Sequence, residues 1–426
     1  MTVVRARKEK RKRERQTRLT ATANAGRAMT RATSSLAAIG IEAEFVVVID
    51  GVPVRPEDIF GSPRRIVRGP LLHRTGRSYH LPTGSAVYFD TGVIELATPM
   101  IELERGCAAR AGRSLWESIL FLRRELDVWQ ERFGRDVRLV GFSTHYNVSF
   151  TPPTGALASN RTVEQLALLL TYILPAPVML LAANRQSTGI GVRPRRNRVE
   201  VTADFTPDAA LMIATATLVV GVVREVMTWP RYDLSILGES EQRDLPVFRD
   251  FAPVPHSSRK GWVARHTCFP RNPFTARVDE DQWNVRDGEP LSLREIAGRI
   301  TRRFWPAIRR YADPFTLRLI GAVMAGRTPS LLELADRPPA YESVGRLCAW
   351  EELFPEHELP RSRYERVLIR AIHGDRLHLG GGEWYTPTGM RGWSHVVFRR
   401  DRDRSKHVFS LDYLLRHLED WEAGSR

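Results

Sequence analysis

The sequence of 426 residues contains only three cysteines, Cys107, Cys268 and Cys348, and none of them forms a Cys-x-x-Cys pair. Three widely separated thiols argue against a disulfide framework and against a zinc site, so a reducing cytoplasm is the expected compartment. The longest apolar run, residues 209–223, is too short to span a membrane and predicts a buried helix. The basic start is not followed by an apolar segment, so we expect no secretory signal. The chain also has no internal repeat.

Positive charge is concentrated at the beginning of the chain. The net charge is +15, and residues 1–32 carry eleven Lys and Arg against two Glu, which is +9. Such a basic arm is typical of a solvated tail, the interpretation we favour, and also of a segment that binds nucleic acid or another polyanion. An apolar fraction of 42% and ten Trp predict a globular protein. We therefore expect the globular body to carry the function, with nucleic acid a partner only through the tail.

Four short segments alternate polar and apolar residues, as a strand with one polar face does. They are Glu42-Ala-Glu44, Asp90 with Glu95, His145-Tyr-Asn147 and Arg198-Val-Glu200. Alone, each segment has an ordinary explanation: a solvated sheet face, a core histidine or a surface ion pair. Together they predict one sheet whose polar face lines a reaction pocket.

The carboxylates on that face create a charge problem. Glu42 and Glu44 emerge roughly 6–7 Å apart on one face, and two such charges repel by about 2–3 kcal/mol at an effective dielectric near 20. Oxygen ligands with one imidazole suit Mg²⁺ or Mn²⁺, and Mg²⁺ is usually held together with substrate phosphates. Arginines that could bind phosphates precede the last segment, at Arg193, Arg195 and Arg196. The residues therefore predict a divalent-metal nucleotide site.

The four segments resemble the active-site strands of the glutamine synthetase/glutamate–cysteine ligase superfamily of carboxylate–amine ligases. The resemblance spans roughly residues 38–210 and rests on Gly40-Ile-Glu-Ala-Glu-Phe45, Asp90-Thr-Gly-Val-Ile-Glu-Leu-Ala-Thr-Pro99, Ser143-Thr-His-Tyr-Asn-Val-Ser149 and Arg198-Val-Glu200, which follow the family's order. The fold it implies is α+β, a curved antiparallel sheet with a polar active-site face, helices packed on the opposite face and a small C-terminal β-rich appendage. The expected organisation is a tail at 1–35, a catalytic domain at 36–358 and a C-terminal domain at 360–426.

The resemblance also implies roles for individual residues. Those expected to hold divalent ions are Glu42, Glu44, Glu95, His145 and Glu200. Those expected to bind ATP are Arg193, Arg195, Arg198, Asn147 and Ser149, and Arg198 is also expected to act in catalysis. A narrower likeness, to the bacterial ligases that attach a small ubiquitin-like protein to lysines, implies that Asp90 orients or deprotonates the amine. That likeness fades after residue 210, so it does not name the substrate.

Two positions depart from the family pattern. Thr202 stands where relatives commonly have the last Arg of Arg-x-Glu-x-Arg, and Asn147 replaces the second His of His-x-His. Both changes concern substrate recognition more than metal binding, and the nearby arginines are candidates to replace the missing one.

The implied reaction joins a carboxylate, from an amino acid, peptide or small protein, to an amine, using ATP and Mg²⁺ or Mn²⁺. Phosphorylation of the carboxylate gives an acyl phosphate, which the amine attacks to form an amide or isopeptide bond. Arg193 or Arg195 is expected to bind a substrate carboxylate. Alternatives are a phosphotransferase or an amide hydrolase on the same scaffold, and a protein that binds nucleic acid through its basic tail. The oligomeric state is not predicted.

Overall fold

A twelve-stranded antiparallel sheet dominates the fold. The computed structural model describes residues 37–151, 161–242, 244–258, 260–334, 359–379 and 382–423. These residues belong to one compact unit, Ala37–Arg426. The predicted tail at 1–35 lies outside the described residues. The sequence also predicts a helical stretch that runs to about residue 355, and its residues from 335 onward lie outside the described residues.

The sheet is built around its first strand, β1, which is twelve residues long. Its strands are β1 (Ala38–Ile49), β2 (Val52–Val54), β3 (Leu72–Thr75), β4 (Ser78–His80), β5 (Ala86–Asp90), β6 (Val93–Ala97), β7 (Ile101–Glu102), β8 (Val137–Ser149), β9 (Ile190–Arg195), β10 (Arg198–Asp204), β11 (Val254–Pro255) and β12 (Trp262–Ala264). The order across the sheet is β11-β12-β9-β10-β8-β1-β6-β5-β4-β3, while β2 and β7 also pair with β1. A separate two-stranded sheet pairs β13 (Gln282–Trp283) with β14 (Leu291–Ser292).

Helices cover the apolar face of the large sheet, as predicted. They are α1 (Pro56–Phe60), α2 (Cys107–Phe133), α3 (Val163–Ile173), α4 (Pro175–Ala182), α5 (Ala209–Val226), α6 (Leu293–Arg303), α7 (Trp305–Tyr311) and α8 (Pro314–Met324). Two of these helices have recognisable sequence signals at their ends. Gly134 ends α2 with a φ of 64°, and Ser292 caps α6 in a capping box with Glu295.

The apolar residues 163–181 predict a single helix, but the structure has two helices there. The chain bends by 65° between α3 and α4, because Pro175 and Pro177 cannot continue the hydrogen-bond ladder of α3. Within the described residues α5 is long and apolar enough to cross a membrane, and the α3–α4 pair passes the same test if counted as one span. However, 78% of α5 is buried inside the protein. This extent of burial is typical of a core helix, as the sequence predicts.

The C-terminal segment forms a second, four-stranded antiparallel sheet, β15-β16-β17-β18. Its elements are α9 (Arg363–His373), β15 (Leu377–Leu379), β16 (Glu383–Arg391), β17 (His395–Arg400), β18 (Lys406–Ser410), α10 (Leu411–Arg416) and α11 (Leu418–Ala423). The apolar run at 367–372 predicts a short strand, and this prediction is wrong. These residues belong to α9, which begins with a capping box of Ser362 and Glu365 and ends at Gly374. The segment has its own apolar cluster, to which Leu72 of β3 contributes. A domain boundary at Pro360 stays a prediction.

Candidate functional site

Alternation along β1 separates an apolar face from a polar one. Ile41, Ala43 and Phe45 have no exposed surface and lie in the core under the helices. Glu42 and Glu44 point to the other side, where each side chain keeps about 15% of its surface exposed. The polar face predicted from the sequence is therefore present, and β1 lies at its centre.

A β-bulge at Phe142 brings the polar residues of β8 onto the same face. Glu44 pairs with Ser143 and Phe45 pairs with Gly141, so Phe142 is an extra residue with no partner on β1. One extra residue reverses the side of the sheet to which later side chains point. Before the bulge, Val137 and Leu139 on odd positions face the core. After it, odd-numbered His145 and Asn147 face the carboxylates instead.

The strand register places the polar side chains in three rows across the sheet. The first row runs through Arg193, Glu200, Asn147 and Gly40. The second runs through Thr202, His145, Glu42 and Ala97. The third runs through Asp204, Ser143, Glu44, Glu95 and Tyr88. Three of the four predicted segments meet at the centre of these rows.

Glu42, Glu95 and His145 form a cluster with the composition of a metal site, which we call the trio. One oxygen or nitrogen ligand atom from each lies within 4.8 Å of the others. Ligands on opposite sides of a Mg²⁺ ion are about 4.2 Å apart, so small side-chain rotations would let all three bind one ion. Glu95 and His145 are only 4% and 7% exposed. Buried carboxylates this close must be protonated or paired with a cation, and the oxygen and imidazole ligands of the trio fit a divalent metal.

The pKa values of the three residues of the trio are shifted by burial and by their mutual charges. Burial, and then the charge of Glu42, raise the pKa of Glu95 to about 8. Burial opposes ionisation of Glu42, but its hydrogen bond to His145 and the charges of His145 and Arg198 outweigh burial and lower its pKa to about 2. Burial likewise opposes protonation of His145, but Glu42, Glu44 and Glu200 together raise its pKa. Without a metal the site holds protons where a cation would otherwise bind.

Glu44 lies beside the trio rather than within it. Its Oε2 accepts a 2.6 Å hydrogen bond from Ser143, and its Oε1 lies 3.7 Å from His145 Nε2. The Ser143 hydroxyl is also 3.2 Å from His145 Nε2. Glu44 therefore lies close to the imidazole ring of His145, a member of the trio, on the side of the third row.

Glu200 is surrounded by the predicted arginines. Arg195 donates to both of its oxygens, at 2.8 and 3.1 Å, Arg193 forms a salt bridge to Oε1, and Arg198 lies 3.8 Å from Oε2. The Glu200 side chain is 1% exposed. The predicted metal role of Glu200 stays a prediction, and the contacts it makes here are to the arginine cluster, Arg193, Arg195 and Arg198.

Two predicted nucleotide ligands, Asn147 and Ser149, border the arginine cluster. Arg198 Nε donates a 2.6 Å hydrogen bond to Asn147 Oδ1, and the amide side chain of Asn147 helps to lower the pKa of Glu42 as a hydrogen-bond donor. Ser149 accepts a 2.8 Å hydrogen bond from the backbone of Ala38. Asn147 therefore lies between the arginine cluster and Glu42.

Asp90 lies at the rim of the face, at the end of β5. It is exposed and accepts a 2.9 Å hydrogen bond from Thr91 Oγ1. It sits two residues beyond Tyr88, and alternation places it on the same side of the sheet. This position faces solvent, as an amine-side base requires, but Asp90 does not belong to the trio.

Sequence reasoning missed three residues at the site: Tyr88, Arg74 and Trp393. Tyr88 donates a short hydrogen bond to Glu95, and alternation with Asp90 could have revealed it. Arg74 lies at a register shift between β3 and β4, and Trp393 comes from the turn between β16 and β17. No local signal places either of them at the polar face.

Two cavities open at different ends of the polar face. A small one of about 120 Å³ lies at the first-row end, lined by Ala38, Gly40, Glu42, Asn147, Arg198 and Trp393. A large one of about 990 Å³ lies at the third-row end and reaches Glu44, Ser143, Thr202 and Asp204. Its positively charged or basic lining residues are Arg185, Arg193, Arg265, His256 and His266. Burial, and then the charge of Arg193, lower the pKa of His256 to about 4, so this ring is neutral at pH 7 and the arginines carry the positive charge of the cavity.

No protein-family model matches the chain, and no curated protein matches it. Among the solved structures that align with the chain, two cover most of its length. The complex between the prokaryotic ubiquitin-like protein Pup and its ligase PafA aligns over 91% of this chain and 95% of that chain, with a TM-score of 0.46 and 12% sequence identity. The Pup ligase PafA in complex with ADP aligns over 88% of this chain and 95% of that chain, with a TM-score of 0.45 and 11% identity. At these values the alignments carry no inference about function.

Proposed function

We propose that this chain is an ATP- and divalent-metal-dependent ligase that joins a carboxylate to an amine through an acyl phosphate. The observation that carries the proposal is the order of features along the strands of one polar face. The small cavity lies at one end, the trio in the middle and the large cationic cavity at the other end. A phosphoryl donor and a carboxylate acceptor bound in the two cavities would meet over the trio.

The small cavity, of about 120 Å³, has room for part of a nucleotide, and we expect the rest to lie along the open polar face. Trp393 borders this cavity, and Arg198 offers donors to phosphate oxygens. The arginine cluster continues from there along the first row. The phosphates of a nucleotide bound here would point toward Glu42 and the trio.

The trio would hold the divalent ion, with Glu44 close enough to join it. Such an ion supplies positive charge that offsets the charge developing on a transferring phosphoryl group. Glu200 would act by fixing the guanidinium groups of Arg193 and Arg195 toward the phosphates. This arrangement keeps both arginines near the site without leaving a buried charge unpaired.

The large cavity suits the carboxylate substrate. Its arginines, Arg185, Arg193 and Arg265, can attract an anion, and Arg193 connects this cavity with the first row. Thr202, one of the two departures from the family pattern, lines this cavity. A difference at that position therefore bears on which carboxylate is accepted.

The reaction then balances as follows. A carboxylate oxygen of the substrate attacks the terminal phosphorus of ATP, and the bond to the bridging oxygen breaks to release ADP. The amine nitrogen attacks the acyl carbon, phosphate leaves, and Asp90 takes the proton that the nitrogen loses. The exposed rim position of Asp90 leaves room for an amine carried by a large partner.

The experiment is product analysis with Mg²⁺ or Mn²⁺ and a matrix of carboxylates and amines. A ligase releases ADP and phosphate and forms an amide only when carboxylate, amine and ATP are all present. A stable phosphorylated product without an amine would instead identify a phosphotransferase. Cleavage of an amide without net ATP consumption would identify a hydrolase, and either result would overturn the proposal.

A further inference from the structure

Arg74 is a cation at the polar face that the proposed reaction has not yet used. His73 pairs with Tyr79 and Thr75 pairs with Ser78, so Arg74 is the extra residue of a bulge between β3 and β4. Bulges re-aim a side chain and are frequent beside active sites. Here the side chain turns toward Tyr88, whose hydroxyl binds Glu95 of the trio.

Three contacts from different parts of the chain fix the Arg74 guanidinium. Its Nε donates a 2.9 Å hydrogen bond to Ser78 Oγ. Its Cζ lies 5.4 Å from the centre of the Tyr88 ring and 4.8 Å from that of Trp393. In the described part of the chain, neither terminal nitrogen has a hydrogen bond or an ion pair. A guanidinium is thus oriented by two aromatic rings and one hydroxyl, with its terminal donors left for a ligand.

Arg74 and Arg198 border the trio from different sides. Across the sheet Arg198 is on β10 and Arg74 is on β3, while β1 and β6, which carry Glu42 and Glu95, lie between them. Burial lowers the pKa of Arg74, the charges of Glu42 and Glu95 act to raise it, and Arg198 acts on it as a like charge. The two arginines therefore share one electrostatic field centred on the trio.

We propose that Arg74 binds the terminal phosphoryl group of the nucleotide, from the side of the trio opposite Arg198. This inference rests on the proposed function. The planar guanidinium can bind two phosphate oxygens while it stays stacked on the rings, which a lysine ammonium cannot do. Because Trp393 belongs to the C-terminal segment, the same contact links that segment to the phosphoryl-transfer site.

The test compares ATP and ADP affinity in Arg74→Ala and Arg74→Lys, measured by calorimetry with Mg²⁺ present. Removing a charge-assisted hydrogen bond should weaken ATP binding about 10- to 100-fold, and ADP binding much less. Arg74→Lys should retain the fold and the ADP affinity but lower the turnover number. The matched control is Arg64→Ala, since Arg64 lies 5.5 Å from the ring of Tyr79, which points to the other face of β4.

Equal loss of ATP and ADP affinity in Arg74→Ala would mean a merely structural role, and so would wild-type turnover in Arg74→Lys. Either result would overturn the inference. If Arg74→Ala does not fold, Arg74→Lys carries the test alone through its turnover number and its ATP-to-ADP affinity ratio. If the Arg74 variants bind ATP and form product as well as the wild-type protein does, this inference is refuted and the proposed function is left intact. Wild-type protein that does not bind ATP would refute both.

Discussion

Replacing Glu95 by Gln should make the metal-free protein more stable and the enzyme inactive. The amide has the shape of a protonated carboxyl, and Glu95 is 4% exposed, so the packing should be kept. The pKa of Glu95 is raised from 4.5 to about 8. A group whose pKa is raised on folding keeps its proton in the folded state after the unfolded chain has lost it. Stability is therefore lost as the pH rises from 4.5 toward 8.

At pH 7 this cost extends over 2.5 pH units, from 4.5 to 7. At about 1.36 kcal/mol per unit, the upper limit is about 3 kcal/mol. Glu95→Gln removes that cost and should raise the free energy of unfolding at pH 7 by up to this amount, and by nothing at pH 4. The same change removes a ligand of the trio. Loss of a hydrogen-bonding partner outside the ligand shell already lowers metal affinity about 10- to 100-fold, so loss of a ligand should cost at least as much.

Urea unfolding at pH 4 to 9, with and without Mn²⁺, measures both effects, and ADP release measures activity. We expect wild-type protein to be stabilised by Mn²⁺ increasingly as pH rises toward 8, because the ion competes with the Glu95 proton. Glu95→Gln should show neither Mn²⁺ stabilisation nor ADP release. Glu125→Gln is the control, since Glu125 lies on α2, which packs on the apolar face, and pairs with Arg68 at 3.6 Å. Lower stability of Glu95→Gln at pH 7, or its retained Mn²⁺ response and full turnover, would refute the reasoning.

Three further predictions concern the surroundings of the trio. Burial, and then the charge of Arg74, lower the pKa of His80 from 6.5 to about 4. The contribution of His80 to stability should therefore be fully present above pH 6.5 and fall by about 3 kcal/mol toward pH 4. His80→Gln should flatten that slope in urea titrations, and an unchanged slope would contradict the assignment. Gly141→Ala should lower the free energy of unfolding by about 1–3 kcal/mol, because the added Cβ would lie 2.0 Å from the Phe205 ring; a thermal melt that matches wild type would show that the ring can move away. Trp393→Leu should weaken ATP binding more than ADP binding, since the Trp393 ring holds the Arg74 guanidinium. Calorimetry that finds both nucleotides weakened equally would show that the ring acts on another part of the nucleotide.

The polar face could be predicted because side-chain alternation is a local property. Glu42 and Glu44 oppose Ile41 and Ala43 within five residues, and no distant contact is needed to see it. The order of the strands in the sheet was not predicted from the residues. His145 reaches the right face only through the bulge at Phe142, and that bulge is defined by pairing with β1, about 100 residues earlier.

Two errors of sequence interpretation concern signals that lie near the segment, and one missed residue depends on a contact between distant parts of the chain. The apolar run at 367–372 fits a short strand and a helix equally well, and the Ser362–Glu365 capping box that decides for the helix lies before the run. Pro175 and Pro177 do break the predicted helix at 163–181, and that signal was present in the sequence. Trp393 could not have been placed, because its contact with Arg74 joins residues more than 300 positions apart.

Charge balance divides the five predicted metal ligands into two groups. Glu200 makes contacts within 4 Å to three arginines, so its charge is already compensated inside the protein. In the described part of the chain, the ion-pair contacts of Glu42 and Glu44 are to His145, and that ring cannot offset three carboxylates. When His145 binds a metal it is a neutral imidazole, so one divalent ion would leave the three ionised carboxylates with one net negative charge, and a second ion would leave one net positive charge. A second ion would therefore have to bring its own anions, and the phosphates of a nucleotide beside Arg74 and Arg198 are the ligands that the arrangement of this face favours.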